Sequence, residues 1–269
     1  MSKINIKSPA KINLHLTILR KLKNGFHELD TSFQLIDLYD EISFKKVERG
    51  ISIKCDNKDI CDHNNIVFQV ARDLQQNTKN NGIEIDIKKN IPIGSGLGGA
   101  SSNAGSAIIM LNKIWQLNLN RNKLIKYASK VGADVPFFIF GKNAYATGIG
   151  EKLKYKKSIN SNLIIIDPKI HNSTKQMFNL YDKNTKNEYK ELYFKQNSFW
   201  SVYLENEKKV RDFYNSNFRE FKLNLSGSGS CMYVAYNKKI EIEELIKKIP
   251  SNWRFFLCKP LQYSPISYL

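Results

Sequence analysis

Apolar residues along this chain recur with two different periods. Ile12, Leu14, Leu16 and Ile18 alternate with Asn13, His15 and Thr17, the period of a half-buried strand, and the run follows a lead-in of Ser8-Pro9-Ala10-Lys11. Further strand patterns occupy 42–47, 51–55 and 83–87, with a helix predicted over 65–76. Helical spacing returns at Ala104, Ala107, Ile108, Leu111 and Trp115, and again over 122–130, where Gly132 stops it. The stretches 136–140 and 144–147 read as a hairpin about Gly141-Lys142-Asn143. In the second half, Leu163-Ile164-Ile165-Ile166 has the length of a buried strand, and 231–236, 242–249 and 255–258 read as strand, helix and strand. The pattern predicts an α+β protein of two lobes, 1–160 and 161–269, with a boundary near 157–162 and a mobile polar surface over 181–195.

Composition narrows the class. At 269 residues the chain can bury a sizeable core. Its first eleven residues lack the apolar centre of a secretory signal, and its apolar runs are too short to span a bilayer, so a soluble, cytosolic protein without membrane partners is expected. Cys55, Cys61, Cys231 and Cys258 form no C-x-x-C pair and the four histidines are scattered, which predicts neither zinc nor a disulfide framework. The net charge of +17 invites a nucleic-acid reading. Here, however, the lysines are diffuse and no run interleaves basic with aromatic residues, so the excess is read as compositional bias that also attracts an anionic substrate.

The chemistry concentrates in Ile91-Pro92-Ile93-Gly94-Ser95-Gly96-Leu97-Gly98-Gly99-Ala100-Ser101-Ser102-Asn103, directly before the helical pattern that starts at Ala104. Glycines at 94, 96, 98 and 99 can take positive φ and let main-chain N–H groups converge on an anion, with Ser101 or Ser102 capping the first helical turn. A helix N-terminus facing such a loop attracts phosphate, and ATP is the obvious ligand. A dinucleotide fold would need an acid about 20 residues onward to hold a ribose, but no Asp or Glu occurs from Ile87 to Ala133. A Walker loop would need Lys after the last glycine, where Ala100-Ser101 stands, and the protein-kinase triplets are missing too.

Asp134 is the first carboxylate after Asp86, in a stretch holding seven Lys or Arg residues. Two residues before Pro136, it suits either a helix cap or a base that accepts a hydroxyl proton in phosphoryl transfer, and both can hold together. Lys11 beside it would keep the carboxylate ionised and stabilise charge developing on the transferred group. The cluster Leu225-Ser226-Gly227-Ser228-Gly229-Ser230 suits either a tight loop or a second close approach of backbone to ligand.

In this order along the chain, 8–14, 92–102 and 225–230 resemble the three motifs of the GHMP kinases, the superfamily of galactokinase, homoserine kinase and mevalonate kinase. Gly25-Phe26-His27 and Gly132-Ala133-Asp134-Val135-Pro136-Phe137 narrow the resemblance to the branch acting on a methylerythritol alcohol that carries a cytidine diphosphate, in the non-mevalonate isoprenoid route. The resemblance implies an ATP lobe like ribosomal protein S5 domain 2 and a ferredoxin-like carboxy-terminal lobe. It implies Lys11 and Asp134 as the catalytic pair, the loop from Pro92 to Ser102 as the ATP site, and Mg²⁺ as cofactor with no metal ligand assigned. It also implies Asn13, Phe26, His27, Thr174 and Phe178 as acceptor contacts, with Phe26 and Phe178 sandwiching the cytosine. Phe26 stands where the branch usually has tyrosine, and Ser95 and Ala100 replace glycines, which requires negative φ at both. The rival readings are a kinase of another small alcohol, such as homoserine or mevalonate, and a basic nucleic-acid-binding protein that keeps the fold without turnover.

Overall fold

Alternation carries the first strand well beyond 12–18. In the computed structural model, which describes residues 3–56, 64–76, 78, 81–183 and 196–268, β1 (Ile4–Lys21) runs antiparallel to β2 (His27–Val47) from Ile4 opposite Phe44 to Lys21 opposite His27. Lys11 therefore sits within a long strand rather than at its lead-in. The register shifts between Pro9 and Ala10, where proline cannot donate a ladder hydrogen bond. Beyond β3 (Ile51–Cys55) and α1 (Ile66–Gln75), β4 (Gly82–Lys88) pairs with the far half of β2 and parallel to β3. After α2 (Gly99–Ile114), α3 (Arg121–Val131) and α4 (Val135–Phe140), β5 (Ala144–Gly148) pairs with the near half of β2 and with β6 (Lys152–Tyr155).

The helices exist for local reasons. Asn65 and Asn120 cap α1 and α3 by accepting from Val67 N–H and Lys123 N–H. Each helix turns its apolar stripe inward. Val67, Val70, Leu74, Ala104, Ala107, Ile108 and Leu111 cover the sheet face formed by Ile42, Phe44, Ile83, Ile85 and Ile87. The run 136–140 is helical, not a hairpin strand. Pro136 falls in the first turn, where its missing N–H costs nothing, and Gly141 at φ 68° ends the helix in a left-handed cap.

The second sheet begins at β7 (Asn162–Asp167), followed by α5 (Thr174–Lys183), α6 (Trp200–Asn206) and α7 (Lys208–Asn217). Then come β8 (Asn224–Leu225), β9 (Met232–Tyr236), α8 (Glu243–Lys248) and β10 (Arg254–Cys258), giving the strand order β10-β7-β9-β8. This order is the split βαβ arrangement of a ferredoxin-like lobe, as expected. The predicted helix over 242–249 is thus a 3₁₀ turn at Lys239–Ile242 continued by α8. The run in β7 is apolar throughout because both its faces are buried. Ile164 and Ile166 pack under the helices, while Leu163 and Ile165 meet Ala10, Ile12, Ile36 and Leu97 of the first lobe.

After β10 the chain crosses back. β11 (Pro260–Leu261) pairs with β2 at Ile36 and Leu35, in the gap along that strand between β5 and β4. Asn143 fastens it there, accepting from Leu35 N–H at 2.8 Å and donating to Leu261 O at 2.8 Å. Residues 184–195 of the span expected to be mobile lie outside the described residues, as does Cys61; 181–183 form the last turn of α5. Among the described residues no helix is long and apolar enough to cross a membrane.

Candidate active site

The glycine loop joins β4 to α2, and its shape requires glycine at three positions. Gly94, Gly96 and Gly98 take φ of 63°, 76° and 72°, whereas Gly99 is already helical. Among the described residues the non-glycines with positive φ are Gln116, Asn118 and Lys169, so Ser95 and Ala100 meet the condition set for them. Gly98 is the N-cap of α2 and no side chain caps that end, which corrects the expected role of Ser101 and Ser102. Both serines lie inside the helix. Buried Ser102 donates to Pro9 O at 2.6 Å and meets Ser8 Oγ at 2.7 Å, tying α2 to the strand that carries Lys11.

The loop is anchored from both lobes. Asp40, fully buried, accepts from Asn90 N–H at 2.8 Å and Ile91 N–H at 2.9 Å and pairs with the Lys89 ammonium. From the second lobe, Ser226 Oγ donates to Gly96 O, Cys231 N–H to Ser95 O and Asn172 N–H to Gly94 O. A Cβ on Gly96 would stand 2.0 Å from Ser226 O. The cluster at 226–230 therefore acts mainly as a wedge against the first loop, and only Gly227 and Ser228 of it line the cleft.

Lys11 and Asp134 meet at the mouth of this loop. Lys11 is 3% exposed; its Nζ lies 3.4 Å from Asp134 Oδ2 and donates to Asn13 Oδ1 at 2.7 Å. Asn13 in turn donates to Thr31 Oγ1 at 2.8 Å, so two adjacent strands fix the amide that holds the lysine. Asp134 is the N-cap residue of α4 by position, but its side chain makes no cap bond and is turned to Lys11 instead. A Cβ on Gly98 would approach Lys11 Cε to 3.1 Å, so the ammonium stem runs against the phosphate loop.

Opposite lies an aromatic and ionic wall. Phe26 is 55% exposed in the turn between β1 and β2. His27 is buried, and Phe178 of α5 stacks on its ring at 4.5 Å and 14°, with Phe199 edge-on to Phe178 at 4.9 Å. Phe178 thus has an imidazole on one face. Thr174 Oγ1 meets Ser228 Oγ at 3.1 Å. Asp182, which sequence reasoning passed over as part of a polar surface span, holds His27 Nε2 at 2.8 Å and Lys21 Nζ at 2.5 Å. Burial pushes its pKa up, but hydrogen bonds from Lys21 and His27 outweigh that and hold the carboxyl below its ordinary range.

One cleft of about 1120 Å³ unites these groups. It is lined by Lys11, Asn13, Phe26, His27, Asp134, Thr174 and Phe178, and by the loop residues Pro92 to Ser101 except Leu97. Leu97 is core, with its carbonyl accepting from Lys11 N–H, and Ser102 is buried behind the loop. Lys89 lines the cleft too, so the loop without a lysine of its own has one at its base. Its signal was the pair Lys88-Lys89 leaving a strand beside a glycine run. Among the described residues no cluster of three metal-binding side chains occurs.

Residues 65–142, which span α1 through Asp134 and α4, match the family described as GHMP kinases N terminal domain. A 4-diphosphocytidyl-2-C-methyl-D-erythritol kinase of Francisella tularensis subsp. tularensis is 37% identical over 95% of this chain and 96% of its own. The chain belongs to the 4-diphosphocytidyl-2-C-methyl-D-erythritol kinase family. A relative of the same name in Acinetobacter baumannii is 34% identical over 98% of both chains. Among solved structures, a 4-(cytidine 5'-diphospho)-2C-methyl-D-erythritol kinase matches with a TM-score of 0.79 at 22% identity, covering 96% of this chain and 99% of that one. A homoserine kinase from Cytophaga hutchinsonii matches at 0.70 and 15%, covering 98% and 96%. At such identities the two structures speak for the fold, and the expected two-lobe GHMP kinase fold is the one observed. Membership in the 4-diphosphocytidyl-2-C-methyl-D-erythritol kinase family rests on the full-length relatives.

Proposed function

We propose that this chain transfers the γ-phosphoryl group of ATP to the 2-hydroxyl of the methylerythritol moiety of 4-diphosphocytidyl-2-C-methyl-D-erythritol, in the non-mevalonate route to isoprenoid precursors. The observation that carries this reading is the Lys11–Asp134 pair, 3.4 Å apart, at the mouth of a glycine loop in a cleft whose other wall is aromatic. Asp134 accepts the hydroxyl proton as the new O–P bond forms and the bond to the ADP oxygen breaks. Lys11 steadies that carboxylate and the charge on the phosphoryl group, while Asn13 holds the ammonium in place. The uncapped end of α2 and the loop of Pro92, Ile93, Gly94, Ser95, Gly96, Leu97, Gly98, Gly99, Ala100, Ser101 and Ser102 receive the triphosphate, Leu97 and Ser102 by shaping the loop from behind.

Oxygen-rich Mg²⁺ sites in kinases draw most of their ligands from phosphate and water, so Asp134, the carboxylate lining the cleft beside the loop, would be enough on the protein side, and the ion would supply neutralisation of the triphosphate charge. Phe26, His27, Thr174 and Phe178 bind the cytidylyl part. Phe178 stacks on His27 here, so the cytosine sandwich requires the base to lie against Phe26 and the outer edge of that stack. The lobes divide as 1–160 and 161–269, and the buried free thiols at Cys231 and Cys258 suit a reducing cytoplasm. An ADP-release assay across the cytidylyl alcohol, homoserine and mevalonate tests the reading. Turnover of the first alone is expected; turnover of homoserine in its place would overturn it.

A further inference from the structure

Resting on the reading of this cleft as a cytidylyl site, we propose that Asp182 is a positioning residue for base selection. Its carboxylate fixes a proton on His27 Nε2 and leaves Nδ1 as the lone pair offered to a base.

The geometry over-determines the imidazole. His27 opens β2 directly opposite Lys21, the last residue of β1, and α5 lies across both. That single helix supplies the ring's stacking partner, Phe178, and its edge partner, Asp182, one helical turn apart. The His27 side chain is 5% exposed; turning the ring over would keep its plane against Phe178 but give up the hydrogen bond to Asp182, so that bond selects the ring's orientation. An ionised carboxylate only accepts, so the nitrogen 2.8 Å from Asp182 Oδ1 must be the one carrying hydrogen. The depressed pKa of Asp182 agrees with an ionised group held by two donors.

In the neutral imidazole the hydrogen bond made by one nitrogen sets the other, so Nδ1 is an acceptor. Lys21 Nζ donates to the second oxygen of the same carboxylate, so both oxygens of Asp182 are engaged. A lone pair distinguishes pyrimidines. Cytosine presents an amino donor at the position where uracil presents a carbonyl acceptor. The arrangement attracts the first and repels the second, and a site with a committed hydrogen-bond polarity rejects the mismatched analogue.

The test combines spectroscopy with a base competition. Ring ¹⁵N shifts of the intact protein, read with the cytidylyl alcohol bound, are expected to show His27 as the neutral Nε2–H tautomer. An imidazolium or Nδ1–H form would overturn the proposal, whatever any variant does. Kinetics then compare the cytidylyl alcohol with its uridylyl counterpart. Asp182→Asn, whose amide can donate to Nε2, is expected to lower the cytidine-to-uridine ratio of kcat/KM about tenfold, the size of one hydrogen bond. Lys21→Met keeps the Asp182–His27 bond and is expected to retain the wild-type ratio. Equal loss on both substrates in folded Asp182→Asn, with the ratio unchanged, would reduce Asp182 to a lobe-to-lobe strut and overturn the proposal. Absence of wild-type turnover on the cytidylyl alcohol would instead overturn the function proposed above, and the tautomer would still be read directly.

Discussion

The two walls of the cleft are held by different means. Around Gly94, Gly96 and Gly98 the surface is main chain, bent by positive φ and pinned by buried groups such as Asp40, Ser102 and Ser226. Around Phe26 and His27 it is side chain, with an exposed ring on a turn and a carboxylate reaching across from α5. The difference follows the ligands. A triphosphate is the same in every reaction of this kind and suits a rigid array of N–H groups, whereas the acceptor varies and suits replaceable side chains. A change in the first wall should therefore cost stability and turnover together. A change in the second should alter recognition and leave the fold intact.

The sharpest way to break this comparison is at the pair between the walls. Lys11→Met or Asp134→Asn is expected to lower kcat about a thousandfold while nucleotide binding survives, as checked by single-turnover ADP release and calorimetry. Near-wild-type turnover of Asp134→Asn would remove it as the base. Next in size is Gly96→Ala, which must accommodate φ 76° and a Cβ 2.0 Å from Ser226 O. It should cost about 3 kcal/mol and weaken ATP binding, both visible in thermal unfolding with and without nucleotide. Ser102→Ala takes the hydroxyl from Pro9 O and leaves Ser8 with Ser106 alone, and is expected to destabilise by about 1–2 kcal/mol. An unchanged melting point would mean that α2 is not held through that serine.

Phe26→Ala probes the other wall. With a side chain already 55% exposed, its loss should leave melting unchanged and raise KM for the acceptor about fivefold, with KM for ATP unaffected. The smallest effect is electrostatic. The folded pKa of Asp182 lies below its ordinary value of 3.8, so its stabilisation is complete above that value and is lost as pH falls further through the folded pKa. Since the carboxylate is still a quarter exposed and screened by solvent, Asp182→Asn should flatten acid unfolding in that window by only about 0.5 kcal/mol, measured by denaturant melts between pH 5 and pH 2 as rough bounds.

What was legible in the sequence follows the same division. Alternation revealed the strand with Asn13, and glycine spacing revealed the loop, because both are local periods that the backbone itself imposes. Lys11 and Asp134 were identifiable as chemistry, but their 3.4 Å approach depends on how α4 packs on Phe33 and Leu35 of β2, the strand beside β1. The 136–140 run misled because five apolar residues fit a strand as well as a short helix, and the deciding evidence was Pro136 in a first turn. Asp182 and Lys89 were hidden for another reason. Each is an ordinary charge in a lysine-rich chain until tertiary structure brings it to His27 or to Asp40.

The return of β11 to β2 has a consequence for how the protein is made. The edge offered by Leu35 and Ile36 lies between strands available early, yet its partners Pro260 and Leu261 are synthesised far later. At about 5–20 residues per second, a ribosome leaves that edge open for roughly tens of seconds. An open edge inside a nascent lobe is a site for wrong pairing. The amino-terminal half of this kinase is therefore born unfinished, and translation speed through the second half sets how long it must wait, with any chaperone that shields it acting on that interval.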